Sequence, residues 1–298
     1  SLFQTRRLGL MENSVRIALS SALVCMTVGC FSAMRLYAAM PKRPLIRWFF
    51  LLSAPIPSYI YALTYMNLIR FLGKWIPSLL RFRMAGMVPC IAVESLAYLP
   101  FACAAALIGL EQVDAGEWKA ALLMQNADKC FWKIVFPKQL PYLLAMGAVI
   151  FVLSITDYSI PSLFQVNVYA MEIFSDYSAQ GRSVHSLKLA LPILLLSTAV
   201  ILPALLSMQN VSRPMPAKVR VSACYSGKMK FAGNCAVTFA VIQILLPVLA
   251  LVPEAGNLAE GSVQAWKELS NSFAVGILAV ALLTVPAAGM ALLLSDNM

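Results

Sequence analysis

Gly116 to Pro141 read GEWKAALLMQNADKCFWKIVFPKQLP, the one long polar and amphipathic interruption between two strongly apolar stretches. A first helix is expected over roughly Asp114 to Gln125, then a turn near Asn126, whose short amide tolerates a left-handed backbone, then a second short helix ending before Pro137. Two short helices at an angle make a knob. Phe131 and Trp132 give it an apolar face that a merely solvated loop would not need. The plainer alternative is an amphipathic pair lying on lipid headgroups.

The chain around this knob is 298 residues long, 60% hydrophobic and only 12% charged, with a mean hydropathy of +0.78. Charged residues make up about a quarter of an ordinary soluble domain, so the composition is that of an all-α, polytopic membrane protein. Seven segments, near 15–38, 46–69, 86–110, 140–163, 187–208, 231–252 and 273–295, are long enough to cross the bilayer; crossing ~30 Å of hydrocarbon takes ~20 helical residues. Pro55, Pro57, Pro89, Pro100, Pro192 and Pro203 fall in or beside them, and a bundle tolerates such kinks where neighbours satisfy the freed carbonyls. The net charge of +10 comes largely from Lys and Arg in short loops between apolar runs, which contact headgroups and set topology; nucleic acid is not indicated. The seven cysteines form no Cys-x-x-Cys pair and the one histidine, His185, is expected in an outer loop, so neither a disulfide framework nor a metal site is expected.

The knob resembles the cytoplasmic loop of the inner-membrane permease subunits of ABC (ATP-binding cassette) importers. That loop is patterned Glu-Ala-Ala, three residues, Gly, nine residues, Ile, one residue, Leu-Pro. With Pro137 on the family's Pro, Ile134 falls on its Ile, Phe136 on its Leu, Ala120 on its second Ala, and Trp118, Lys119 and Met124 on its Glu, first Ala and Gly. Glu117 lies one residue before the motif's Glu. Further along the chain, SAPIPSYIYALTY (Ser53 to Tyr65), AYLPF (Ala97 to Phe101), SITDYSIPSLF (Ser154 to Phe164) and VYAMEIFSDYSAQGR (Val168 to Arg182) are similar, in the same order, to double-length permeases for ferric iron and thiamine. In the third of these, Tyr158 and Ser159 stand where that group has the Phe and Gly of an Asp-Phe-Gly-x-Pro run. The likeness covers about residues 50–180.

It implies a transport subunit of the bacterial inner membrane, not an enzyme. Its helices would form half of an alternating-access pathway for a small solute delivered by a periplasmic or extracellular substrate-binding protein. ATP would be bound and hydrolysed by a separate ATPase touching Glu117, Ala120, Ala121, Met124, Phe131, Trp132, Ile134 and Pro137. In keeping with that, the chain has no phosphate-cradling GxxxxGK[ST] loop, and no cofactor is expected on it. With the knob in the cytoplasm, that side holds 13 Lys and Arg against ten opposite, a small bias in the sense of the positive-inside rule.

Two carboxylates fall within apolar segments, Glu94 in the third and Asp157 near the outer end of the fourth. Ionisable groups at membrane depth are costly and mark pathways by default. Glu94 is a candidate both for pairing with a Lys or Arg of the 70–85 loop, Arg83 being nearest in sequence, and for lining or gating the pathway; for Asp157, with Tyr158 beside it, helix-end capping and pathway lining stay open. Should both carry coupling ions, the chain would instead be a secondary transporter. Tyr158, Tyr169 and Tyr177, with Trp75 and Trp266, suit an interfacial aromatic belt.

A first permease repeat is expected over residues 1–230, with the coupling loop at 111–139, then a linking span and the start of a second repeat over 231–298. Asn13-Ser14 and Asn271-Ser272 open the first and seventh segments 258 residues apart. On that expectation a span precedes Ser1, about five follow Met298, and a second loop lies in the other half.

Overall fold

The computed structural model describes residues 5–39, 56–74, 85–180, 183–209, 227–251, 265–266, 268–282 and 284. Among them every regular element is helical. The chain divides into two compact units, Ser1–Pro247 and Val248–Met298.

In the first unit, α1 (Thr5–Ala39) is followed by α2 (Ser58–Gly73) and α3 (Met87–Glu111). The knob comprises α4 (Ala115–Met124) and α5 (Ala127–Cys130); a π-helical turn, Phe131–Val135, then leads into α6 (Phe136–Thr156). After these come α7 (Ser159–Leu163), α8 (Tyr169–Gln180), α9 (Ser183–Gln209) and α10 (Gly227–Leu251), whose last four residues fall past the unit boundary at Pro247. In the second unit the described residues form chiefly one helix, α11 (Glu268–Leu282), whose described side chains are all exposed.

Four helices, Arg6–Tyr37, Met87–Glu111, Ala127–Thr156 and Ser186–Met208, are long and apolar enough to cross a membrane. The protein is a membrane-embedded helix bundle, but the expected count of seven spans is not met among the described residues. α2 has 16 residues, short of the bilayer, and residues 46–55 of that expected span lie outside the described ones. α10 covers the sixth segment without being among the four, and α11 covers the described part of the seventh, residues 283 and 285–295 lying outside the described ones. The fourth span is displaced toward the knob: it runs unbroken from Ala127 and ends at Thr156, not at residue 163. The break has a local cause. Asp157 is extended (φ −77°, ψ 127°), and its Oδ1 accepts from the Ser159 amide at 2.7 Å, a side-chain bond that competes with helix continuation.

α1, α3 and α6 pack on one another as a central trio, and small residues at their crossings bring backbones close. A Cβ on Gly29 would lie 2.8 Å from Ala102 Cβ and 2.9 Å from its carbonyl carbon, and one on Gly109 would lie 2.8 Å from Gln139 Cα. At Gly147 the space is filled by Met26. α3 is the axis, its most apolar window 72% buried, whereas α9 leans on the outside at 11%. α3 starts at Gly86, whose φ of 117° needs a residue without Cβ and whose amide donates to the Phe164 carbonyl at 2.8 Å.

Candidate functional site

α4 is anchored at its start by Asp114, whose Oδ1 accepts from the Gly116 amide at 2.7 Å and the Glu117 amide at 2.9 Å, an N-cap that satisfies donors the helix cannot pair internally. Those two amides, Glu117's first, and then the charge of Lys138, hold the Asp114 carboxyl below its usual range. Gln125 (φ −144°, ψ 159°) and Asn126 (φ −63°, ψ 148°) end the helix. The turn is therefore where it was expected, but it is made by two extended residues, not a left-handed asparagine.

The second helix does not stop before Pro137. The Phe136 amide bonds to the Phe131 carbonyl five residues back, giving the wide turn of a π-helix. Pro137 then falls in the first turn of α6, where its missing N–H is least costly.

The expected contact residues separate by burial. Phe131 is completely buried, contrary to expectation, while Trp132 remains 53% exposed. The Phe131 ring meets the edge of Trp132 at 5.1 Å and belongs to a core cluster with Met34, Leu107, Trp118 and Leu143, against which Ala121 and Ile134 pack half-buried. Glu117 pairs with Lys138 of α6. Ala120, Met124 and Pro137 are exposed. The sequence reading overlooked Leu123, 90% exposed, although its spacing from Ala120 places both on one face of α4 with Met124. Trp118, aligned in sequence with the family's Glu, is 1% exposed and roots the knob in the bundle.

Behind the knob, Gln139 is fully buried. Its Nε2 donates to the Ala106 carbonyl of α3 at 3.0 Å, and its Oε1 accepts from Cys30 Sγ of α1 at 3.4 Å. One amide thus bonds to both other helices of the trio.

Deeper in the bundle lies a polar layer. Glu94 is fully buried, and its Oε2 accepts from Ser21 Oγ of α1 at 2.9 Å. The hydroxyl of Ser154 on α6 faces the same carboxyl. The expected partner Arg83 lies outside the described residues. Cys90, Glu94 and Tyr98 recur every four residues along one face of α3, leading to Asp157. There Oδ2 accepts from Ser58 Oγ of α2 at 2.9 Å and Tyr98 hydroxyl at 3.5 Å, and Oδ1 accepts from both the amide and hydroxyl of Ser159. Capping and cross-helix bonding are thus both present at Asp157. Gln243 of α10, also fully buried, donates to the Leu96 carbonyl. Tyr158 stands apart from the layer, stacked on Phe174 at 4.7 Å. Tyr169 is buried, 2% exposed, and so is no part of an interfacial belt. Among the described residues no three of His, Cys, Asp and Glu come together in a way that could hold a metal ion.

No family model matches this chain, and no curated protein matches it. The arrangement itself has two chemical capacities: an apolar tip, rooted in the bundle, that a partner can grip, and a line of buried and half-buried oxygens across several helices that can hold them in register or face a polar solute.

Proposed function

We propose that the chain is a permease subunit of an ATP-driven ABC importer of the bacterial inner membrane, with the loop at residues 111–139 as the contact for a separate ATPase. The observation that carries this reading is the split within the knob. Trp118 and Phe131 are buried in the bundle, while Ala120, Leu123 and Met124 present one apolar face with Leu123 90% and Met124 85% exposed. Large apolar side chains gathered on an outward face mark a contact surface. On this proposal the ATPase subunits move the knob as they dimerise, and the knob moves α3 and α6, between which it is strung. Cargo arrives from a substrate-binding protein on the other side; ferric iron, thiamine or a similarly small solute suits the sequence resemblance.

Ala120→Asp tests this. The side chain is exposed, so the subunit should still insert and fold, but a charge buried unpaired against a partner costs several kcal/mol. Co-purification of the ATPase should fall sharply. Undiminished ATPase recovery with normal ATP-driven transport would remove the knob from the mechanism.

A second reading, an ion-coupled secondary transporter, draws on Glu94, a fully buried carboxyl at the crossing of α1, α3 and α6. Uptake that follows a proton gradient and ignores ATP would select it.

A further inference from the structure

A fully buried glutamine in a membrane bundle has a desolvation cost that leucine or methionine of similar volume would avoid. At position 139 the amide makes two directional bonds to two different helices, to Ala106 of α3 at 3.0 Å and from Cys30 of α1 at 3.4 Å. The site is also built for close approach, since the absent side chain of Gly109 lets the α3 backbone come up to Gln139 Cα. The preceding residue, Lys138, pairs with Glu117 of α4. One turn of α6 is thereby tied to the knob on one side and to both partner helices on the other.

Trp118 and Phe131 root the knob in the core of the bundle by close packing. Hydrogen bonds of fixed geometry resist rotation and translation together. We infer that Gln139 is the positioning residue that makes α1 and α3 move with the knob, so that a displacement imposed on α4 reaches the trio as one body. This rests on the proposal that an ATPase drives the knob.

The test uses the full subunit, purified with the ATPase that accompanies it. Spin labels at Leu23→Cys on α1 and Leu195→Cys on α9, both exposed, with Cys224 and Cys235 replaced by serine, report the inter-helix distance without nucleotide and after trapping with ATP and vanadate. The background protein should show a nucleotide-dependent distance shift. Gln139→Leu should lose most of that shift while ATPase binding and hydrolysis persist. Because Gln139→Leu can also disturb folding, Cys30→Ala and Cys30→Ser form a second pair of nearly equal size. Serine restores a donor to the Gln139 carbonyl oxygen and should keep the shift; alanine should reduce it. A full shift in both Gln139→Leu and Cys30→Ala would overturn the inference alone. A background protein that recruits no ATPase, or shows no nucleotide-dependent shift, would overturn the importer reading and this inference with it.

Discussion

Glu94 and Phe131 show what single residues can and cannot announce. A carboxyl within an apolar run is conspicuous in any sequence, and Glu94 does occupy the buried heart of the bundle. Its partner was not legible, because hydroxyls such as Ser21 and Ser154 look like ordinary small residues of a packed helix until three helices bring them together. Glu94→Gln keeps a carbonyl oxygen for the Ser21 hydroxyl and should leave the thermal midpoint in detergent nearly unchanged. Glu94→Leu strands that hydroxyl; a buried polar group left unsatisfied costs about 1–3 kcal/mol, so its midpoint should fall measurably below that of the glutamine variant. Equal midpoints for the two would show that the Ser21 bond contributes nothing. Phe131 and Trp132 fail as sequence signals for another reason: adjacent aromatics in an amphipathic helix are distinguished only by helical phase. The π turn shifts that phase.

At the scale of elements, the apolar runs located α1, α3, α6 and α9, because some twenty consecutive apolar residues are the length and the chemistry that a bilayer core demands. Their ends were harder to read. The Asp157 break depends on one carboxylate finding the Ser159 amide, and the run through Pro137 depends on a widened turn just before it; neither follows from hydropathy. The start of α4, by contrast, was legible from Asp114 alone, because a short acidic side chain before a helical run is a cap. That cap is also pH-dependent. The Asp114 carboxyl titrates below its ordinary range when folded, so the stabilisation is complete above the unfolded value and is lost as pH falls through the folded one. Asp114→Ala should therefore speed amide hydrogen exchange in Ala115–Met124 at neutral pH, relative to the parent. The difference between the two proteins should shrink toward zero in strong acid. A neutral-pH exchange rate unaltered by the substitution would mean that α4 is held by its packing and the Glu117–Lys138 pair without the cap.

For the whole molecule, membrane character was the most legible property and burial pattern the least, since lipid-facing and core-facing helices are equally apolar. α9 and α3 could exchange roles on hydropathy; small residues and buried polar groups on α3 decide between them. The cysteines give a global check. Among the described residues Cys25, Cys30, Cys90, Cys103 and Cys130 are buried and Cys235 is exposed, and Cys224 lies outside them. In variants retaining one cysteine each, N-ethylmaleimide should modify the Cys235 protein in mild detergent and leave the other five unmodified until denaturant is added. Rapid labelling of Cys90 or Cys103 in the native state would contradict the packing of α3. The unbroken helix Ala127–Thr156 spans 30 residues, which at ~1.5 Å per residue is ~45 Å against ~30 Å of hydrocarbon. It is therefore a lever as well as a span: with its fulcrum at the far end, a tilt of ~5° carries the tip ~4 Å along the membrane plane. By the same leverage, a small push at the tip becomes a torque across the bilayer.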